Sequence, residues 1–228
     1  LLLRGMPTYG MWLGALGART SRVLMGTSVL TPTFRYHPSI VAQAFGTLGA
    51  MCPGRVVLGI GTGESLNEVP ATGQPWPEPK ERTARLKESV KLIRQLWSEE
   101  RVSFHGEYYH TENATIYDRP ATPPAIYVAG AGPLISKYAG ATAEGFICTS
   151  GKAPELYKDT LLPNVATGLA SAGRAPGSLD MMIEMKVSFD TDLARAKDDT
   201  RYWAALALSP EEKMSVEDPR EMERLADS

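Results

Sequence analysis

Residues 56–68, VVLGIGTGESLNE, join a β-branched run to three glycines at alternate positions and then to Glu64 and Asn67. Glycine loses more backbone freedom on ordering than any other residue, so three of them at a strand exit mark a place where the backbone itself must be bare. A carboxylate just behind such a loop is placed to move a proton. The reading that fits best is a loop lying flat against a planar ligand, with Glu64 facing the same pocket. A turn that only needs positive φ angles is the plainer alternative. The spacing is G-x-G-x-G and the next strong helical pattern starts near Pro79, which argues against a dinucleotide-binding G-x-G-x-x-G loop.

Two further strand exits carry groups suited to anions. VAGAGP (residues 128–133) leads into a helix beginning at Pro133, and the bare N–H groups of a first helical turn attract phosphate. CTSGK (residues 148–152) brings a hydroxyl and an ammonium together, a pair suited to phosphate or carboxylate. It lacks the leading G-x-x-x-x of a nucleoside triphosphate loop, and a capped helix start with a solvated lysine is its alternative. His37 precedes a helix start, while His105 and His110 lie in a hairpin-like stretch. None is spaced for metal binding, so packing or surface roles are expected of them. Cys52 and Cys148 stand far apart with no CxxC, indicating neither a disulfide framework nor zinc.

The elements that must position these groups alternate between strand and helix patterns. Strands are expected at residues 22–30, 55–60, 125–130, 145–150 and 181–189. Residues 38–51 form a helix with Ile40, Val41, Ala44, Phe45 and Leu48 on one stripe. Residues 79–100 put Leu86, Val90, Ile93, Leu96 and Trp97 on one face and charge on the other. Helical patterns also follow the third and fourth strands, and a last one covers 192–207. Residues 101–120 interrupt the alternation as a hairpin-like insertion in a single domain spanning 1–228. Near-continuous apolar strands alternating with helices imply a parallel α/β sheet, either open and doubly wound or an arc of a barrel. A full barrel takes about 250 residues. In both designs functional groups gather at the C-terminal strand ends. There this chain places Thr31-Pro32-Thr33, Gly61-Thr62-Gly63-Glu64, Gly130-Ala131-Gly132 and Thr149-Ser150-Gly151-Lys152.

Composition narrows the partners. The 228 residues are 43% hydrophobic and 22% charged, with a formal net charge of −2. That balance fits a soluble globular chain and argues against bulk attraction to nucleic acid or an anionic membrane. No apolar run approaches the roughly 20 residues of a membrane span, and a reducing cytoplasm is the expected location. The chain has no initiator Met and reads as a fragment.

Several stretches together resemble the deazaflavin-dependent glucose-6-phosphate dehydrogenases, of the bacterial-luciferase-like (β/α)8 TIM barrels. They are GTSVLTPTFRYHPSIVAQAF, LGIGTGESLNE, RLKESVKLIRQLW, KYAGATAEGFICTSGK and DTRYWAALALSPEEKMSVEDPREME. The resemblance implies coenzyme F420, an 8-hydroxy-5-deazaflavin, in the barrel mouth. It implies that Thr31 and Asn67 hydrogen-bond the coenzyme and that Thr62 and Gly63 support its ring. Ala131, Gly132, Leu134 and Ile135 would receive its phosphate tail. A non-proline cis peptide beneath the ring would fall on Ser28-Val29. Glu64 would be one of two proton-transfer groups, and Thr149, Lys152 and Lys213 would hold the sugar 6-phosphate. The implied reaction passes hydride from C1 of glucose 6-phosphate to the coenzyme and yields the lactone. No metal is implied, and a homodimer is.

The family's catalytic histidine, with its Asp-His and nearby Trp, and its phosphate-binding arginine have no counterparts in this sequence. Position 131 is Ala where relatives commonly carry Gly. An incomplete barrel with both edges open is therefore expected of residues 1–228. The alternatives are an F420-dependent reductase or alcohol dehydrogenase, an FMN monooxygenase of the same barrel type, and a non-catalytic fragment. Three anion-binding groups argue against a neutral substrate.

Overall fold

The computed structural model describes residues 9–149, 152–185, 187–200, 216 and 218–226. Its central feature is a five-stranded parallel sheet in the order β1 (Met25–Gly26), β2 (Val56–Ile60), β5 (Ala125–Ala129), β6 (Gly145–Thr149) and β7 (Asp180–Glu184). The helices are α1 (Tyr9–Arg19), α2 (Pro38–Met51), α3 (Ser65–Thr72), α4 (Pro79–Ser98), α5 (Pro133–Thr142), α6 (Leu162–Ser171) and α7 (Leu193–Thr200). A π-helical turn, Leu156–Leu161, precedes α6, and a further helix spans Pro219–Ala226. Parallel strands joined through helices make an open arc of a (β/α)8 barrel.

The best-patterned helix packs as its periodicity dictates. Leu86, Val90, Ile93, Leu96 and Trp97 of α4 are all buried, together with Leu92. Each such side chain contributes about 1.5–3 kcal/mol on leaving water. Trp97 Nε1 donates to the Ala42 carbonyl at 2.8 Å, which ties α4 to α2 and satisfies the indole in the core. Helix α2 has the expected bounds but a rotated face: Val41, Ala42, Phe45 and Leu48 are buried, while Ile40 is 53% exposed. Between the helices and the sheet lie Phe45, Leu58, Ile60, Ile126 and Phe146, each essentially inaccessible.

Three elements differ from the sequence pattern. The strand expected over 22–30 is ordered as β-structure only at Met25–Gly26, with an isolated bridge from Leu30 to Ile60. The intervening groups bond to the tip of β2: the Gly59 carbonyl accepts from both Leu30 N–H and Thr27 Oγ1, each at 2.8 Å. Of residues 181–189 only 181–184 join the sheet, in the strand Asp180–Glu184. Helix α1 was hidden by Gly10, Gly14 and Gly17, which weaken a helical pattern.

Residues Val102–His105 and His110–Ala114 pair as an antiparallel ribbon, β3 and β4. Its turn is gripped by Glu88 of α4, whose carboxylate accepts from the backbone N–H groups of Glu107, Tyr108 and Tyr109. His37 caps α2, its Nδ1 accepting from Ser39 N–H at 3.2 Å, and burial lowers the imidazole's pKa.

Candidate active site

The exit of β2 shows what the glycine run does. Gly63 has φ +83, a left-handed conformation that costs glycine nothing. A Cβ there would lie 3.0 Å from Thr31 Cγ2 and 3.2 Å from Glu68 Cγ. Likewise a Cβ on Gly61 would lie 3.0 Å from Val29 Cγ2. The bare backbone thus lets the β1 and β2 exits pack against each other, with Thr31 buried at the contact.

Helix α3 starts directly after this loop, an element absent from the sequence pattern, whose next helix, from Pro79, is α4. Glu64 is its N-cap, in extended backbone and with no side-chain capping bond. Its exposed carboxylate instead accepts from Asn67 Nδ2 at 3.0 Å through Oε2. One turn on, Glu68 is held by Arg35 (Nε to Oε2, 2.9 Å), which anchors α3 to the β1 exit.

The peptide bond between Ser28 and Val29 is cis. Ser28 Oγ donates to Glu184 Oε2 at 3.3 Å. Ser28 follows β1 and Glu184 ends β7, the two outer strands of the sheet, so the contact spans the curled arc. Among the expected residues, Ser28, Val29, Thr31, Thr62, Gly63, Glu64 and Asn67 accordingly gather at the exits of β1 and β2.

At the β5 exit, α5 opens at Gly132 with no side-chain cap, and Pro133 occupies its first turn. The Leu134 and Ile135 N–H groups belong to the first turn, which has no intrahelical acceptors. A Cβ on Gly132 would meet nothing within 4 Å, so the space before these donors is open. Ala131 is exposed and the Leu134 side chain is 74% exposed, whereas the Ile135 side chain is buried and fills the volume beside Gly130. Any role of Ile135 toward a ligand therefore falls to its backbone. An uncapped helix start facing open space fits a phosphate-bearing tail.

At the β6 exit, Thr149 ends the strand in register with Glu184, and Lys152 is half-buried. The nearby Tyr157 phenol is held above its ordinary pKa, first by burial and then by Cys148 beside it, while a bond with the Lys152 backbone opposes this. Lys213 lies outside the described residues. Among the described residues, no group of three His, Cys, Asp or Glu could hold a metal ion. No helix there is long and apolar enough to cross a membrane.

The sequence pattern did not single out Arg35, Glu68 or Glu184. Glu184 had one visible signal, a lone acid closing the apolar run Met181-Met182-Ile183.

The chain is similar to several known proteins. The sequence profile of the luciferase-like monooxygenases matches residues 5–227. The chain is 67% identical over 216 residues to an F420-dependent glucose-6-phosphate dehydrogenase of Nakamurella multipartita, covering 95% of this chain and 63% of that protein. A protein of the same name from Intrasporangium calvum is 61% identical, over 95% of this chain and 65% of its own length. The chain thus spans less than two thirds of the length of these relatives. Among solved structures, an F420-dependent secondary alcohol dehydrogenase in complex with an F420-acetone adduct superposes with a TM-score of 0.88 at 33% identity, covering 96% of this chain and 66% of that one. The F420-dependent tetrahydromethanopterin reductase of Methanopyrus kandleri shares the fold, with a TM-score of 0.77 at 24% identity over 89% of this chain and 62% of that one.

Proposed function

The chain belongs to the luciferase-like monooxygenase family, and from that premise we propose that it oxidises glucose 6-phosphate at C1 with coenzyme F420 as hydride acceptor. The carrying observation is the gathering of Thr31, Gly63, Glu64 and Asn67 at the exits of β1 and β2, beside the cis Ser28-Val29 bond. The relatives at 67% and 61% identity, named for this activity, supply the substrate and coenzyme.

The residues divide the work between binding and proton transfer. Thr31 and Asn67 would hold the coenzyme, and the backbone at Thr62 and Gly63 would support its ring. Backbone N–H groups at the start of α5, from Ala131, Gly132, Leu134 and Ile135, receive its phosphate. When bound, the deazaflavin supplies a carbon that accepts hydride and reacts poorly with oxygen. Glu64 would handle the proton at the ring nitrogen, its carboxylate held in one orientation by the Asn67 carboxamide, while the C1 hydroxyl proton would pass to the second of the two proton-transfer groups that the resemblance implies. Thr149, Lys152 and Lys213 bind the substrate phosphate away from C1. Binding energy spent there fixes C1 over the ring, a remote contribution that raises the rate at the reacting carbon. A sugar phosphate needs such cations and a neutral alcohol does not, which favours this substrate over a secondary alcohol.

A homodimer and a reducing cytoplasm complete the reading, and the buried free thiols of Cys52 and Cys148 suit such a compartment. The function is tested by titrating the full chain with coenzyme F420, FMN and NADP while following ring fluorescence, then adding glucose 6-phosphate. Deazaflavin binding followed by bleaching of its absorbance is expected. Binding of FMN or NADP with none of the deazaflavin overturns it.

A further inference from the structure

We propose that Tyr109 is a positioning residue for the coenzyme: its hydroxyl, carried on the β3–β4 ribbon, fixes the loop after β1 and so sets the place of Thr31. The proposal rests on the reading of Thr31 as a coenzyme ligand given above. Tyr109 closes the ribbon's turn, its carbonyl accepting from Gly106 N–H at 3.0 Å. Its side chain is buried, and its Oη donates to the Thr33 carbonyl at 3.1 Å. Only Pro32 stands between Thr33 and Thr31, and the Pro32 carbonyl accepts from Ser89 Oγ of α4 at 3.4 Å. Thr31, Thr33 and Ser89 are all buried, a setting in which carbonyl groups need donors from the protein. On its other side Thr31 meets the bare backbone of Gly63, where a Cβ would lie 3.0 Å from Thr31 Cγ2.

The donor is itself anchored. Of the three ribbon N–H groups that Glu88 of α4 accepts from, that of Tyr109 makes the shortest bond, 2.8 Å. The Arg85 guanidinium lies 4.5 Å over the neighbouring Tyr108 ring. At the far end of the same loop, the His37 ring meets the Tyr109 ring at 86°, with centroids 5.4 Å apart. Tyr109 thus touches the loop at Thr33 and again at His37, from a turn tied to α4. Burial holds the phenol above its ordinary pKa, with Ser89 and Arg85 beside it opposing the shift. Near neutral pH the hydroxyl therefore keeps the proton that it donates. An insertion that interrupts the β/α alternation in this way supports a residue it does not touch.

The test measures coenzyme F420 affinity by fluorescence for the full chain and its Tyr109→Phe, Thr31→Ala and double variants, with melting temperature read alongside. Phe keeps the ring and its packing on His37 and removes only the hydroxyl. Tyr109→Phe is expected to lose roughly three- to tenfold in coenzyme affinity. The same change made in the Thr31→Ala background should cost less than about twofold, because the residue it acts through is gone. Unchanged coenzyme affinity in Tyr109→Phe, whatever its melting temperature, overturns the proposal. So does an equal loss in both backgrounds, which marks a general loosening of the fold. The Thr31→Ala single variant tests the underlying reading separately: an affinity equal to the parent's, or a parent that binds no coenzyme, refutes Thr31 as a ligand and the proposal with it.

Discussion

Arg35 holds Glu68 through paired hydrogen bonds, Nε to Oε2 and Nη2 to Oε1, each 2.9 Å, with the Glu68 side chain only 2% exposed. The pair joins the loop after β1 to the first turn of α3, and so fixes the helix whose N-cap is Glu64. Removing one member leaves a buried charge unpaired, which costs on the order of 3–5 kcal/mol. Arg35→Met should therefore lower the melting temperature sharply, as read by calorimetry. Adding Glu68→Leu should recover a large part of the loss, because well-packed apolar residues often replace a buried ion pair without penalty. A double variant no more stable than Arg35→Met would show that the pair is not the source.

Glu64→Gln retains shape and the bond from Asn67 while removing the titrating group. We expect kcat with glucose 6-phosphate to fall roughly 10²–10⁴-fold and coenzyme affinity to change little. Stopped-flow deazaflavin reduction alongside fluorescence titration reads both. A kcat close to that of the parent would take Glu64 out of the proton-transfer step.

Lys152→Ala separates phosphate recognition from sugar chemistry. Loss of one charge-assisted hydrogen bond costs about 1.5–3 kcal/mol, or roughly ten- to a hundredfold in kcat/KM. The loss should appear with glucose 6-phosphate and be nearly absent with glucose. An equal loss on both sugars would contradict a phosphate role.

Gly59→Ala and Gly14→Ala should move stability in opposite directions. A Cβ on Gly59 would sit 1.9 Å from the Thr27 carbonyl oxygen, a backbone atom that cannot swing away. Overpacking of this kind costs about 1–3 kcal/mol or more. Gly14 lies inside α1, and an added Cβ meets nothing within 4 Å. Alanine there should add about 0.5–1 kcal/mol. Urea denaturation of both variants decides the matter, and a Gly59→Ala protein as stable as the parent would show that the β1 exit can shift.

Much of the architecture was legible in local pattern. The bounds of α2, the buried face of α4, the core of β2 and the glycine-rich exits follow from periods of 3.6 and 2 and from the backbone demands of glycine and proline. Glu64, Gly63, Thr31 and Asn67 stood out through glycine spacing or through resemblance of whole motifs. Only the tertiary structure decided which face of α2 is buried, because Ile40 and Val41 are equally apolar and the packing of α4 and the sheet selects between them. It also decided that most of residues 22–30 leave the sheet: the Thr27 hydroxyl bonds to the Gly59 carbonyl, and the ladder to β2 resumes only at the single Leu30–Ile60 bridge. Arg35 meets Glu68 across 33 positions and Ser28 meets Glu184 across 156. No local period encodes such distances. They arise because a twisted parallel sheet curls as strands are added, and that curl brings its two outer strands to a common mouth.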